Sequence, residues 1–129
     1  MSVKHKSRVL VIDDDPLILE LVSTLLGTLE CTVVGSALNG AEGLALFTDK
    51  RPDLVLLDFM MPGLSGLETL KKMLEVEPQA AVVMLTAVEN NAVSDDCILA
   101  GARDFIRKDL SPNDLARRLS QVVCNIENT

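Results

Sequence analysis

Short aliphatic runs alternate with amphipathic stretches along the whole chain, a new pair starting roughly every 24 residues, the rhythm of repeated βα units. Arg8-Val9-Leu10-Val11-Ile12, Thr32-Val33-Val34-Gly35-Ser36, Leu54-Val55-Leu56-Leu57, Ala81-Val82-Val83-Met84-Leu85 and Asp104-Phe105-Ile106-Arg107 are the five predicted strands. Most are apolar on both faces, as strands of a parallel sheet covered on both sides must be. The stretches between them predict five helices. The first opens at Asp15-Pro16, a cap followed by a proline, presents Leu17, Leu21 and Leu25 with Ile18 and Val22 beside them, and stops near Gly27. A second runs from Asn39-Gly40 through Phe47. A third starts at Ser65 with the capping box Ser65-Gly66-Leu67-Glu68, carries Leu67, Leu70 and Leu74, and ends at Pro78. Asn91 to Leu99 has only a partial stripe of Val93, Cys97 and Ile98. The fifth helix begins at Ser111-Pro112 and repeats Leu115, Leu119, Val122 and Ile126. Right-handed crossovers then place helices on both faces of a five-stranded sheet. The expected domain covers residues 8–124, between short tails at 1–7 and 125–129.

Composition narrows the function classes. With 129 residues, 48% of them hydrophobic, the chain is long enough to bury a core as one domain. Trp and Tyr are absent and Phe occurs only at 47, 59 and 105. The core is therefore aliphatic, and base stacking or a flavin sandwich has little to use. A formal charge of −7 opposes direct binding to nucleic-acid phosphates. Cys31, Cys97 and Cys124 are odd in number and widely spaced, as expected of free thiols in a reducing compartment. Neither a signal peptide nor a membrane span is readable, so a cytoplasmic location is expected.

The reactive side chains fall where the strands stop. Asp13, Asp14 and Asp15 follow the first strand, Asp58 ends the third, Thr86 the fourth and Lys108 the fifth. In an open α/β sheet the ligand site lies beyond the carboxyl ends of the strands, so these groups are expected to converge. Capping a helix explains Asp15, but a turn does not require two further acids beside a fourth on another strand. Clustered carboxylates either take up protons or bind a cation, and a hard divalent ion such as Mg²⁺ suits oxygen ligands. Asp58 is the candidate nucleophile, since a carboxylate can attack phosphorus. Lys108 and the cation would neutralise the transferring group, and Thr86 would donate a hydrogen bond to it.

Val11-Ile12-Asp13-Asp14-Asp15-Pro16, Leu57-Asp58-Phe59-Met60-Met61-Pro62-Gly63, Leu85-Thr86-Ala87 and Gly101-Ala102-Arg103-Asp104-Phe105-Ile106-Arg107-Lys108 occur in one order and spacing. With them the chain resembles a bacterial two-component response-regulator receiver domain of the CheY-like superfamily over residues 8–124. The resemblance implies a flavodoxin-like, doubly wound (βα)₅ fold with strand order 2-1-3-4-5. It implies Asp58 as phosphoacceptor for a sensor histidine kinase or phosphotransfer protein, in a signalling switch rather than a metabolic enzyme. Mg²⁺, for which Mn²⁺ can substitute, would be held by Asp14, Asp58 and the backbone carbonyl of Met60, with Asp13 acting through a water. Thr86 and Phe105 match the switch pair, read out on the surface of the fourth helix, fifth strand and fifth helix, where a homodimer is also conceivable. Met60 and Val88 stand where phosphoryl lifetime is tuned. Both are apolar, so slow loss of phosphate is expected.

One departure stands out. Receivers usually place a proline after the lysine, whereas Asp109 follows Lys108 here. A trans peptide and a carboxylate able to pull on Lys108 are expected. Together with Val33-Val34-Gly35, Asn39-Gly40 and Gly66-Leu67-Glu68-Thr69-Leu70, this resembles receivers joined to a helix-turn-helix output domain. The downstream partner is then a separate protein or such a domain. Rival readings are an aspartyl-phosphate phosphatase or mutase, a nucleotide or flavin module, and a phosphorylation-independent interaction scaffold. The first lacks a second acid two residues after Asp58, where Met60 stands, and the second lacks a Gly-rich phosphate loop. His5, the one histidine, raises a phosphohistidine relay but falls in the expected tail.

Overall fold

The computed structural model describes residues 7–87 and 91–127, the first four of the latter stretch by backbone only. The elements alternate as predicted: β1 Arg8–Ile12, α1 Pro16–Thr28, β2 Thr32–Ala37, α2 Gly40–Lys50, β3 Leu54–Asp58, α3 Gly66–Val76, β4 Val82–Thr86, α4 Asn91–Ala100, β5 Asp104–Arg107 and α5 Pro112–Glu127. All strand pairs are parallel, in the order β2-β1-β3-β4-β5. This is the flavodoxin-like arrangement implied by the motifs.

Strand periodicity splits the core into two layers. Val9, Val11, Leu54, Leu56, Val83, Leu85 and Ile106 face Val22 and Leu26 of α1 and Leu115, Leu119, Val122 and Val123 of α5. Leu10, Ile12, Val55, Leu57, Val82 and Met84 face Phe47 of α2, Leu70 and Met73 of α3 and Cys97 of α4. The same alternation carries past the strand ends. Asp13 and Asp58 continue the rows of Val11 and Leu56, while Thr86 continues the row of Met84.

The predicted caps are present. Asp15 accepts from the Leu17 N–H at 2.9 Å, and Asn39 accepts from that of Glu42 at 2.8 Å. Ser65 and Glu68 close the capping box, and Ser111 accepts from the Asp114 N–H at 3.2 Å.

Three local expectations are corrected. Leu17 is 74% exposed, because the buried stripe of α1 runs through Val22 and Leu26. Gly27 lies inside α1; the chain turns instead at Glu30, which takes a left-handed φ of 63°. Finally, α5 continues to Glu127, beyond the boundary expected at 124. Its carboxylate accepts from the hydroxyl of buried Ser7 at 2.7 Å and from the Ser7 N–H at 3.2 Å. Residue 7, placed in a tail by the sequence pattern, is therefore clasped to the last helix. Glu127→Ala leaves these donors unpaired, and a loss of about 1–2 kcal/mol in urea denaturation is the expected result.

Candidate functional site

The first turn after β1 places Asp13 and Asp14 differently. Asp13 is fully buried, and its Oδ1 accepts from the Asp15 N–H at 2.9 Å, while Asp14 is exposed at the mouth. Asp58, 2% exposed, meets Asp13 because β1 and β3 are sheet neighbours. Lys108 reaches both from the end of β5: its Nζ lies 2.6 Å from Asp13 Oδ2 and 2.8 Å from Asp58 Oδ1. Asp58 Oδ1 also accepts from the Met60 N–H at 3.2 Å, whereas Asp58 Oδ2 is buried with no hydrogen-bond partner.

One cation between two buried carboxylates leaves the pair one charge short of neutrality. Burial is the main reason the Asp58 carboxyl is pushed up from 3.8 to about 6, with the negative charge of Asp13 adding to it. The Lys108 hydrogen bond and charge and the Met60 N–H oppose the rise. Lys108 shifts upward too. Burial lowers its pKa, but hydrogen bonds and charges from Asp13 and Asp58 outweigh that. The ammonium therefore stays charged.

Asp13, Asp14 and Asp58 each offer an oxygen, and the three atoms lie within 4.8 Å of one another. An all-oxygen cluster with a buried orphan lone pair suits a hard divalent cation. The surrounding pocket, about 410 Å³, is lined by Asp14, Asp15, Ile18, Asp58, Phe59, Met60, Ala87, Lys108 and Asp109. A second concavity, about 370 Å³, lies at the opposite edge of the sheet beside Phe47, Arg51, Asp53 and Val76 and contains none of these groups. Size does not separate the two; chemistry does.

Thr86 is buried at the end of β4, and its carbonyl accepts from the Lys108 N–H at 2.8 Å. Phe105 pairs in register with Met84, two residues before Thr86 on the same face, and the residue is 36% exposed. Arg118 of α5 holds the Phe105 carbonyl at 2.9 Å and the Asp104 carboxylate at 3.2 Å. Met60 is 64% exposed. Val88 and His5 lie outside the described residues.

The structure corrects the expectation for Asp109. No cis peptide occurs among the described residues, but the Asp109 carboxylate does not pair with Lys108. Both of its oxygens go to the Arg107 guanidinium, Nε to Oδ1 at 3.0 Å and Nη2 to Oδ2. Those hydrogen bonds hold the exposed carboxyl below its ordinary pKa. The capping box and the family motif around Gly66 give no hint of crowding, yet a Cβ there would sit 2.2 Å from the Asp58 carbonyl oxygen. A glycine in the first turn of a helix, where its propensity is poor, is the signal that marks it.

The sequence matches the response regulator receiver domain family over residues 9–120. The chain belongs to that family. Receiver domains are the switch modules of two-component signalling. This receiver is 36% identical over 122 residues to the nitrate/nitrite response regulator NarL of Escherichia coli K12, covering 94% of this chain and 56% of NarL. It is 30% identical over 115 residues to the chemotaxis protein CheY of Thermotoga maritima, covering 89% of this chain and 96% of CheY. Among solved structures it resembles the CheY chain of a CheX–CheY–BeF₃–Mg²⁺ complex from Borrelia burgdorferi, with a TM-score of 0.84 at 25% identity, covering 90% of this chain and 88% of that one. The receiver thus spans nearly all of the chemotaxis proteins but little more than half of NarL. None of its described helices is long and apolar enough to cross a membrane.

Proposed function

We propose that this receiver is a phosphorylation-driven switch in which Asp58 accepts a phosphoryl group from a histidine kinase or phosphotransfer protein, with Mg²⁺ required. One observation carries the reading: Asp58 Oδ2 is buried, unpartnered and directed by a site whose single lysine already holds the other oxygen. Asp14 and Asp58, with the Met60 carbonyl, would hold the Mg²⁺, and Asp13 would act through a water and through Lys108. When bound, the ion supplies positive charge against the phosphoryl oxygens. The CheX–CheY complex of B. burgdorferi, to which this chain is similar, contains BeF₃ and Mg²⁺, which supports the same pairing here.

In the transfer, a carboxylate oxygen of Asp58 attacks phosphorus and forms a P–O bond. The P–N bond of a donor phosphohistidine breaks, and its electron pair returns to the imidazole. Lys108 then neutralises charge on the phosphoryl oxygens, and the Thr86 hydroxyl donates to one of them. Movement of Thr86 vacates space beside Met84 into which the half-exposed Phe105 ring can turn. The altered surface of α4, β5 and α5 is read by a partner protein, by an output domain, or by a second copy.

Intact mass after incubation with acetyl phosphate tests this. A gain of one phosphoryl group that requires Mg²⁺ and disappears in Asp58→Ala is expected. No gain under any condition would overturn this reading and favour a phosphorylation-independent scaffold. Asp14→Ala should weaken Mg²⁺ binding by tenfold or so with little loss of stability, because this ligand is exposed.

The phosphoryl group should be long-lived, since an apolar side chain at residue 60 cannot orient an attacking water. Met60→Asn is expected to speed its loss by roughly tenfold, followed as decay of the phosphorylated mass. An unchanged rate would remove Met60 from this role.

A further inference from the structure

We propose that Arg107 is a positioning residue for the acceptor pocket: its guanidinium takes up both oxygens of Asp109 and keeps that carboxylate off Lys108 and out of the path of an anionic phosphoryl donor. The donor half of this inference rests on Asp58 being the acceptor; the electrostatic half does not.

The argument starts from an excess of acid. Asp14, Asp15, Asp58 and Asp109 all line the pocket, against one lysine. A phosphoryl donor carries negative charge, so every uncompensated carboxylate at the mouth repels it. Asp14 and Asp58 can be offset by a divalent ion, and Asp15 is occupied in capping α1. Asp109 has neither fate and immediately follows Lys108 in the chain. An ammonium has three donors, and Asp13 and Asp58 are within reach of two. A free Asp109 would compete for the third, the one needed by the incoming phosphoryl group.

Arg107 removes that competition by geometry. It stands at the end of β5, two residues before Asp109, and the turn between them brings the side chains together around Lys108. The planar fork grips both carboxylate oxygens, a fixed arrangement that a single-point lysine contact would not impose. At 35% and 50% exposure the pair adds little to stability. Its effect is local charge.

A four-cornered comparison tests this: wild type, Arg107→Gln, Asp109→Asn and the double variant, all as the full chain. Two quantities are read, the rate of phosphorylation by acetyl phosphate and the affinity for Mg²⁺ alone, from NMR shifts of the pocket amides. In Arg107→Gln the freed carboxylate should slow phosphorylation roughly three- to tenfold and tighten Mg²⁺ binding by a similar factor. The double variant should return both to within about twofold of wild type, since removing both charges restores neutrality. Asp109→Asn alone, which removes a carboxylate from the pocket and keeps the Arg107 charge, should move both the opposite way.

Arg107→Gln that weakens Mg²⁺ binding, or leaves it unchanged, overturns the proposal and assigns Arg107 at most a structural role in the loop. So does a double variant no better than Arg107→Gln. If the wild type gains no phosphoryl group at all, the acceptor reading fails, while the Mg²⁺ comparison still decides whether Arg107 masks Asp109.

Discussion

Asp58→Asn is expected to stabilise the metal-free receiver at pH 7 by about 1–3 kcal/mol while abolishing its phosphorylation. The gain follows from the charge count. Asp13 and Asp58 share one lysine, so the neutral amide leaves a balanced Asp13–Lys108 pair where the native site has a surplus carboxylate. The direction with pH is fixed by the same fact. The Asp58 carboxyl titrates near 6 in the folded state, above its ordinary 3.8. Between these values the folded chain holds a proton that the unfolded chain has released. Stability of the wild type therefore falls as pH rises from about 4 to about 6, then levels off. The asparagine variant lacks that slope. Mg²⁺ should restore the wild type and do far less for the variant, because binding to the folded state alone stabilises it. Thermal unfolding in EDTA and in Mg²⁺ across pH 4–8 measures all of this. Equal stability of the two proteins in EDTA at pH 7 would show that the pair is not strained.

Gly66→Ala should be the most damaging single methyl in the chain, costing about 3 kcal/mol or more. Its Cβ would meet the Asp58 carbonyl oxygen at 2.2 Å, the Phe59 Cα at 2.6 Å and the Phe59 carbonyl oxygen at 2.8 Å. All three are backbone, so no rotamer change relieves the contact. Either α3 withdraws from the sheet or the Asp58–Phe59 peptide moves, and the hydrogen bond from Gly66 N–H to Phe59 carbonyl is lost. Gly63 gives the contrast. Nothing lies within 4 Å of a Cβ there, and only its left-handed φ of 78° opposes substitution, a cost of about 1–2 kcal/mol. Urea denaturation of both variants, with Mg²⁺ affinity as a second readout, separates a crowded backbone from a strained one. A Gly66→Ala protein as stable as Gly63→Ala would refute the packing argument.

The sheet was legible because the strands are unbroken aliphatic runs and each ends in a chemically distinct residue. Asp13, Asp58, Thr86 and Lys108 could be placed at one edge without coordinates, since parallel strands put all their carboxyl ends together. What escaped is set by contacts between residues far apart in sequence, or by small rotations. On α1, Ile18, Leu21, Val22 and Leu25 pack on the core as their spacing predicts, but Leu17 in the first turn does not, because apolar character alone does not tell which end of a stripe reaches the sheet. Ser7 and Glu127 look like frayed polar ends until they are seen to pair. Asp109 reads as a threat to Lys108 because adjacency in sequence is visible, whereas the bidentate grip of Arg107 is a matter of turn geometry. The crowding at Gly66 depends on how closely α3 approaches β3, which no periodicity encodes.

The clasp between Ser7 and Glu127 joins residues 120 positions apart at the edge of the sheet away from Asp58. Ser7, just before β1, and Glu127, at the end of α5, meet through a hydrogen bond, so a covalent link between these positions and a cut in another surface loop would leave every described strand and helix in place. The pocket around Asp58 is assembled from turns at the far edge, and such a circular permutant would present it unchanged. Connectivity and chemistry occupy opposite ends of the molecule.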